Sequence, residues 1–184
     1  MSHKSKRVRQ SNFIKICSEC RDHLCCFGTR PPITPERKRK IEAYLQKENI
    51  PLTNAFTKTD YVFPTENAEG YCGFYNVETA TCLIHHVKPE TCVAGPITFD
   101  INKRSGGVEW HIKMEKICPL AGVMYKDKQL LQKHLKSAKG EIFRLIRGLD
   151  SAELEAILKK DEPDTFKIGE DSKQKMMRHE TVSG

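Results

Sequence analysis

The chain has 184 residues, of which 38 % are hydrophobic and 30 % charged, with a net charge of +7. That length suits one domain with loose ends, or two small domains at most. No stretch approaches the ~18 consecutive apolar residues that a helical membrane span needs, so a spanning helix is excluded.

The first 17 residues, MSHKSKRVRQSNFIKIC, begin basic, as a secretory leader does. The apolar run that should follow is missing, because Phe13 and Ile14 meet Lys15 at once. The expected location is therefore cytoplasmic, where thiols stay reduced. Eight cysteines then read as metal ligands in preference to four disulfides. Residues 1–12 carry Lys4, Lys6, Arg7 and Arg9 and are expected to be a disordered basic arm.

Residues 17–26, CSECRDHLCC, place four cysteines in ten positions. Cys17 and Cys20 form a C-x2-C half-site, a spacing that aims two thiolates at one ion. The same spacing serves redox pairs, but those normally follow a strand and open a helix. Cys25 and Cys26 are neighbours. In an extended chain their side chains would point to opposite faces, so the two need not share an ion. A metal cluster could accept both.

Thr34 can cap a helix that has Pro35 at its first position, with Ile41, Tyr44 and Leu45 as a short apolar stripe. The run ERKRK at 36–40 reads as that helix's solvated face. Basic charge also suits nucleic acid, but no nucleic-acid-binding pattern accompanies it. Residues 52–96 read as irregular with short strands, and hold Cys72, Cys82 and Cys92 at a regular spacing of ten. His23, His85 and His86 lie near cysteines and are subsidiary candidates for ligation.

Ile97, Phe99 and Ile101 alternate with polar residues, as do Val108, Trp110, Ile112 and Met114. The intervening NKRSGG supplies a turn, which predicts a hairpin with one buried face and Trp110 in the core. Cys118 follows directly. From 126 to 149, Leu131, Leu135, Ala138, Ile142, Leu145 and Leu149 step by helical spacing, interrupted by Gly140 at a cost of about 1 kcal/mol relative to alanine. Asp150 and Glu153 predict a capping box for a second helix, and Pro163 bars its continuation. Residues 163–184 read as a polar, mobile tail.

The candidate metal ligands are Cys17, Cys20, Cys25, Cys26, Cys72, Cys82, Cys92 and Cys118. Soft thiolates select zinc, Cu(I) or iron–sulfur clusters, and zinc or iron, including a 4Fe-4S cluster, is the expected cofactor. A purely local site would need both adjacent cysteines on one ion. The early and late cysteines are therefore expected to meet, with sulfurs of both segments in one group of four. No glycine-rich cofactor fingerprint and no catalytic triad or carboxylate pair can be placed.

The block CSECRDHLCC, followed by CLIHHVKPETCVAGP, resembles the YkgJ-type cysteine-cluster proteins, described as candidate zinc- or iron-chelating domains. Cys82, Pro89, Cys92 and Pro96 match the family's later block, and the resemblance covers roughly residues 17–118. Lys88 and Val93 stand where that family usually carries arginine, and the gap between Cys20 and Cys25 is longer than usual. The resemblance implies zinc or iron chelation. It also touches flagellin lysine N-methylases, which raises an S-adenosylmethionine-dependent methyltransferase as an alternative. A zinc-stabilised nucleic-acid binder is the other alternative, raised by charge.

The expected fold is α+β: a small cysteine-rich metal-binding core with short strands and a β-hairpin, an N-terminal helix and C-terminal helices. The expected organisation is a basic arm at 1–12, a cysteine-cluster domain at 13–125, a packed helical segment at 126–162 and the tail at 163–184.

Overall fold

The structure is a computed structural model, and it describes residues 16–17, 19–20, 25–51, 53–160, 162 and 164–174. The expected arm at 1–12 and His23 lie outside the described residues.

Helix α1 spans Pro35–Lys47 and begins where the sequence places it. The Thr34 hydroxyl accepts from the Arg37 backbone N–H at 3.1 Å, satisfying one of the amides that a helix start leaves open. The helix buries Ile41 and Leu45. Two short antiparallel pairs follow: β1 (Phe56–Lys58) with β2 (Val62–Pro64), then β3 (Tyr75–Asn76) with β4 (Thr81–Cys82). A one-turn helix, α2, spans Glu90–Ala94.

The predicted hairpin is present as β5 (Ile97–Ile101) and β6 (Val108–Lys113), paired with Phe99 opposite Trp110. Val108, Trp110 and Ile112 are all fully buried, as their alternation requires. Helix α3 (Pro119–Lys126) leads into the long α4 (Lys128–Gly148). The predicted stripe on α4 packs against the sheet through Leu135, Ala138, Ile142 and Leu145. Trp110 meets Phe143 of this helix edge-on, with ring centroids 5.5 Å apart. Helix α5 (Ser151–Leu158) carries the expected capping box between Asp150 and Glu153.

One expectation is corrected here. Within the supposed mobile tail, Thr165–Asp171 form β7, which pairs antiparallel with β6 and makes it the central strand of three. What holds β7 is long-range. Asp171 Oδ2 accepts from Trp110 Nε1 at 3.0 Å and pairs with Lys139 Nζ at 2.7 Å, and its side chain is buried. A single strand with only Phe166 and Ile168 as large apolar residues carries a weak local signal.

The architecture is the expected α+β, with helices beside short antiparallel strand groups. Two apolar clusters organise the described residues. The larger joins the three-stranded sheet to α3 and α4. The smaller holds Ile33, Ile41, Leu45, Phe74 and Ile84. No described helix is long and apolar enough to cross a membrane.

Candidate metal centre

Backbone pairing brings the two cysteine segments together. Residues 25–28 run antiparallel to 70–72: Phe27 bridges Tyr71, the Gly28 N–H donates to Gly70 O at 2.9 Å, and the Cys72 N–H donates to Cys26 O at 2.8 Å. Gly70 sits at φ +86°, a conformation that favours glycine. Gly73 allows a close crossing, since a Cβ there would lie 2.8 Å from Thr65 O. These two glycines flank Cys72 and fix where its thiol emerges.

Cys72 and Cys82 each start a turn, and Cys118 starts a helix. The Phe74 N–H donates to the Cys72 thiol and the Ile84 N–H to that of Cys82. Cys118 is the N-cap of α3, and the N–H groups of Leu120 and Ala121 point at its sulfur. Amides so placed favour a thiolate over a thiol. Cys92 lies inside α2, which is tied down through its first residue. Glu90, buried, accepts from the Thr34 hydroxyl at 2.6 Å and lies 3.7 Å from Arg37 Nε. Arg37 also donates to Lys88 O at 2.9 Å and to Glu141 of α4 at 2.5 Å. Burial raises the Glu90 carboxyl, against the pull of Thr34 and Arg37.

The sulfurs of Cys25 and Cys26 are 3.9 Å apart. The extended-chain expectation of opposite faces fails here, because the pair lies in a turn, which swings both side chains to one side. Their hydrogen bond pushes Cys25 down to about 6, with burial opposing and Lys88 and Lys113 assisting. The same bond, followed by burial, pushes Cys26 upward. Around them burial raises every shifted thiol: Cys17 and Cys72 each to about 11, and Cys82, Cys92 and Cys118 upward as well. The negative charge of a Cys25 thiolate adds to the rise at all of these. Cys20 bears on Cys17 and Cys118 in the same way. Cys25 thus acts electrostatically on six of the other cysteines, Cys17, Cys26, Cys72, Cys82, Cys92 and Cys118, and all eight are free thiols.

Among the described residues, the expected tight group of four does not form: no three His, Cys, Asp or Glu side chains converge as a metal-binding group. The early and late segments share a neighbourhood, in which the Cys25 and Cys26 sulfurs approach to 3.9 Å.

Sequence reasoning placed a cation at Lys88, where the resembling family carries arginine, but missed Lys113. Lys88 acts on Cys17, Cys25, Cys82 and Cys92, and Lys113 acts on Cys25. The signal was present for Lys88, which stands four residues before Cys92 in KPETC, but Lys113 reaches the thiols only through the hairpin. Of the histidines, His85 is pushed down to about 4 by burial, with Lys88 and His86 adding to the shift. It is a neutral imidazole at physiological pH.

The donor set thus has one chemistry, soft thiols held in turns with amides and ammonium groups facing them. A family model built on that chemistry, CxxCxxCC, "Putative zinc- or iron-chelating domain", matches residues 16–119. The chain belongs to this family. The match contains all eight cysteines and ends at the first residue of α3, so α4, α5 and β7 lie beyond it. No curated protein and no solved structure matches the chain.

Proposed function

We propose that the chain chelates zinc or iron through thiolates drawn from both cysteine segments. The observation that carries this is the Cys25–Cys26 sulfur separation of 3.9 Å, in a turn whose Cys26 carbonyl accepts from the Cys72 N–H at 2.8 Å. Two thiolates on a tetrahedral zinc, at Zn–S ~2.3 Å, stand about 3.8 Å apart. The pair is thus already spaced as two corners of one site. Cys17, Cys20, Cys72, Cys82, Cys92 and Cys118 are the remaining candidate donors.

The electrostatics support the reading. Thiols that resist ionisation chiefly through burial, and further through one another's charge, are suited to a cation, which takes the place of their protons. Lys88 and Lys113 supply part of the positive charge, so an ion held by several thiolates would not leave a large uncompensated negative charge. Eight thiols exceed the four that a single tetrahedral ion takes. A second ion or a 4Fe-4S cluster would use the surplus.

Metal and acid-labile sulfide analysis of protein purified without oxygen tests this. Metal in stoichiometric amount is expected. Zinc without sulfide identifies a zinc site, and iron with matching sulfide identifies a cluster. Well-folded, fully reduced protein free of zinc, iron and copper would overturn the reading.

A further inference from the structure

We propose that Cys25 and Cys26 are an oxidant-sensitive dithiol, which a peroxide closes into a reversible disulfide that withdraws two ligands and releases the bound cation. The release rests on the metal-binding reading above. The dithiol chemistry rests on the pair's own geometry.

Three observations single out this pair. The sulfurs approach to 3.9 Å, so the two atoms that a ~2.05 Å disulfide would join already face each other, and closure takes side-chain rotation together with the ring strain considered below. Cys25 is exposed and Cys26 half-buried, so an incoming peroxide meets Cys25 first and Cys26 stands behind it. The turn is also held at both carbonyls: the Thr29 hydroxyl donates to Cys25 O at 3.1 Å and the Cys72 N–H to Cys26 O at 2.8 Å. The dithiol is therefore presented in one arrangement.

The chemistry balances with a peroxide as the oxidant. The Cys25 sulfur attacks one peroxide oxygen and the O–O bond breaks. Hydrogen peroxide leaves one water, and Cys25 becomes a sulfenic acid. The Cys26 sulfur then attacks the sulfenic sulfur, a second water departs with the two protons, and the S–S bond forms. Two thiol sulfurs together lose two electrons, and the peroxide gains them.

Geometry also makes the bond a switch and not a staple. Adjacent Cα atoms stand ~3.8 Å apart, below the ~4.4 Å at which unstrained disulfides begin. The ring is strained, and strained, exposed disulfides have the higher reduction potentials of labile bonds. A small thiol reductant should reopen it and restore the site.

The sequence makes the test clean. Trypsin cuts after Lys15, Arg21 and Arg37 but spares the Arg30–Pro31 bond, so residues 16–21 carry only Cys17 and Cys20, and residues 22–37 only Cys25 and Cys26. Reduced, zinc-loaded protein is treated with one equivalent of hydrogen peroxide, alkylated and digested, while a chromophoric chelator reports free zinc. The expected result is peptide 22–37 unalkylated and lighter by two hydrogens, with zinc released in step and recaptured after dithiothreitol. Metal-free reduced protein should give the same peptide. In metal-free Cys26→Ser the reaction should stop at a Cys25 sulfenic acid that dimedone traps. Disulfide in peptide 16–21, or a cross-link between distant peptides, would overturn the proposal, whether or not metal binds. Closure of 22–37 in protein that binds no zinc or iron would retain the dithiol and overturn the metal reading instead.

Discussion

The indole N–H of Trp110 donates to the carboxylate of Asp171 at 3.0 Å, across 61 residues of chain. Asp171 also holds Lys139 of α4 at 2.7 Å. Replacing Asp171 by alanine leaves a buried indole N–H and a largely buried ammonium without their acceptor. The expected loss of stability is about 3 kcal/mol, the lower end for breaking a buried ion pair, because Lys139 keeps some contact with water. Urea denaturation of the variant checks this. A loss below that of an ordinary surface substitution would show that the carboxylate is not a structural anchor.

Truncation separates the end of the chain into two parts. Removing residues 173–184 should change stability by less than about 0.5 kcal/mol, and should not change metal content. Removing 165–184 takes away β7, uncovers an edge of β6 and deletes Asp171. That shorter chain should unfold at markedly lower denaturant. Equal behaviour of the two truncations would contradict the three-stranded sheet.

Serine at Cys17, Cys20, Cys25 or Cys26 should weaken metal retention by about 100-fold or more. Loss of a partner that merely orients a ligand costs about 10–100-fold, and loss of a ligand itself should reach or exceed the top of that range. Competition with a chromophoric chelator gives the ratio. Unchanged retention in all four variants would remove the early segment from the centre.

Metal binding should strengthen steeply with pH. Cys17 and Cys72 are held up at about 11, and Cys82, Cys92 and Cys118 are also raised, so at neutral pH a cation must displace their protons. Each displaced proton contributes about tenfold in apparent affinity per pH unit. Cys25, near 6, contributes to the slope only in acid. Calorimetry in buffers of different ionisation heat counts the protons released. A count of zero would exclude thiols as the ligands.

Acid should destabilise the metal-free fold through two histidines. Burial lowers His85 to about 4, and burial also lowers His134, which hydrogen-bonds to the carbonyls of Ala94 and Gly95. In the unfolded chain each imidazole takes up its proton near ~6.5. Between that pH and about 4, the unfolded state of His85 binds more protons than the folded state. Stability present above 6.5 is therefore lost as pH falls through this window. Denaturant titrations at stepped pH should show the decline, and His134→Gln should flatten part of it.

Local signals were the legible ones. Thr34 with Pro35, the Asp150–Glu153 box, the α4 stripe and the alternation around Trp110 each lie within one element, and each was found where the sequence put it. What escaped was set by distant partners or by turn geometry. β7 depends on β6, Trp110 and Lys139, none of which its own sequence reveals. Helix α3 was missed because Pro119 and Gly122 punctuate a segment of only eight residues. The eight thiols were identifiable as candidates from their number, the C-x2-C spacing of Cys17 and Cys20, and the family resemblance. The side to which Cys25 and Cys26 turn was not, since an extended chain and a turn give opposite answers.

The thiols also lie on a seam. Cys72 and Cys82 pack on the smaller apolar cluster, and Cys118 packs on the larger. The smaller cluster has five buried side chains, Ile33, Ile41, Leu45, Phe74 and Ile84, and its strands are two or three residues long. Such a unit can open by itself while the sheet and α4 stay closed, and its amides would exchange with solvent first. A cation gripping sulfurs from both sides would join the two units into one cooperative block, so that amide exchange in the weaker half would slow toward the rate of the stronger.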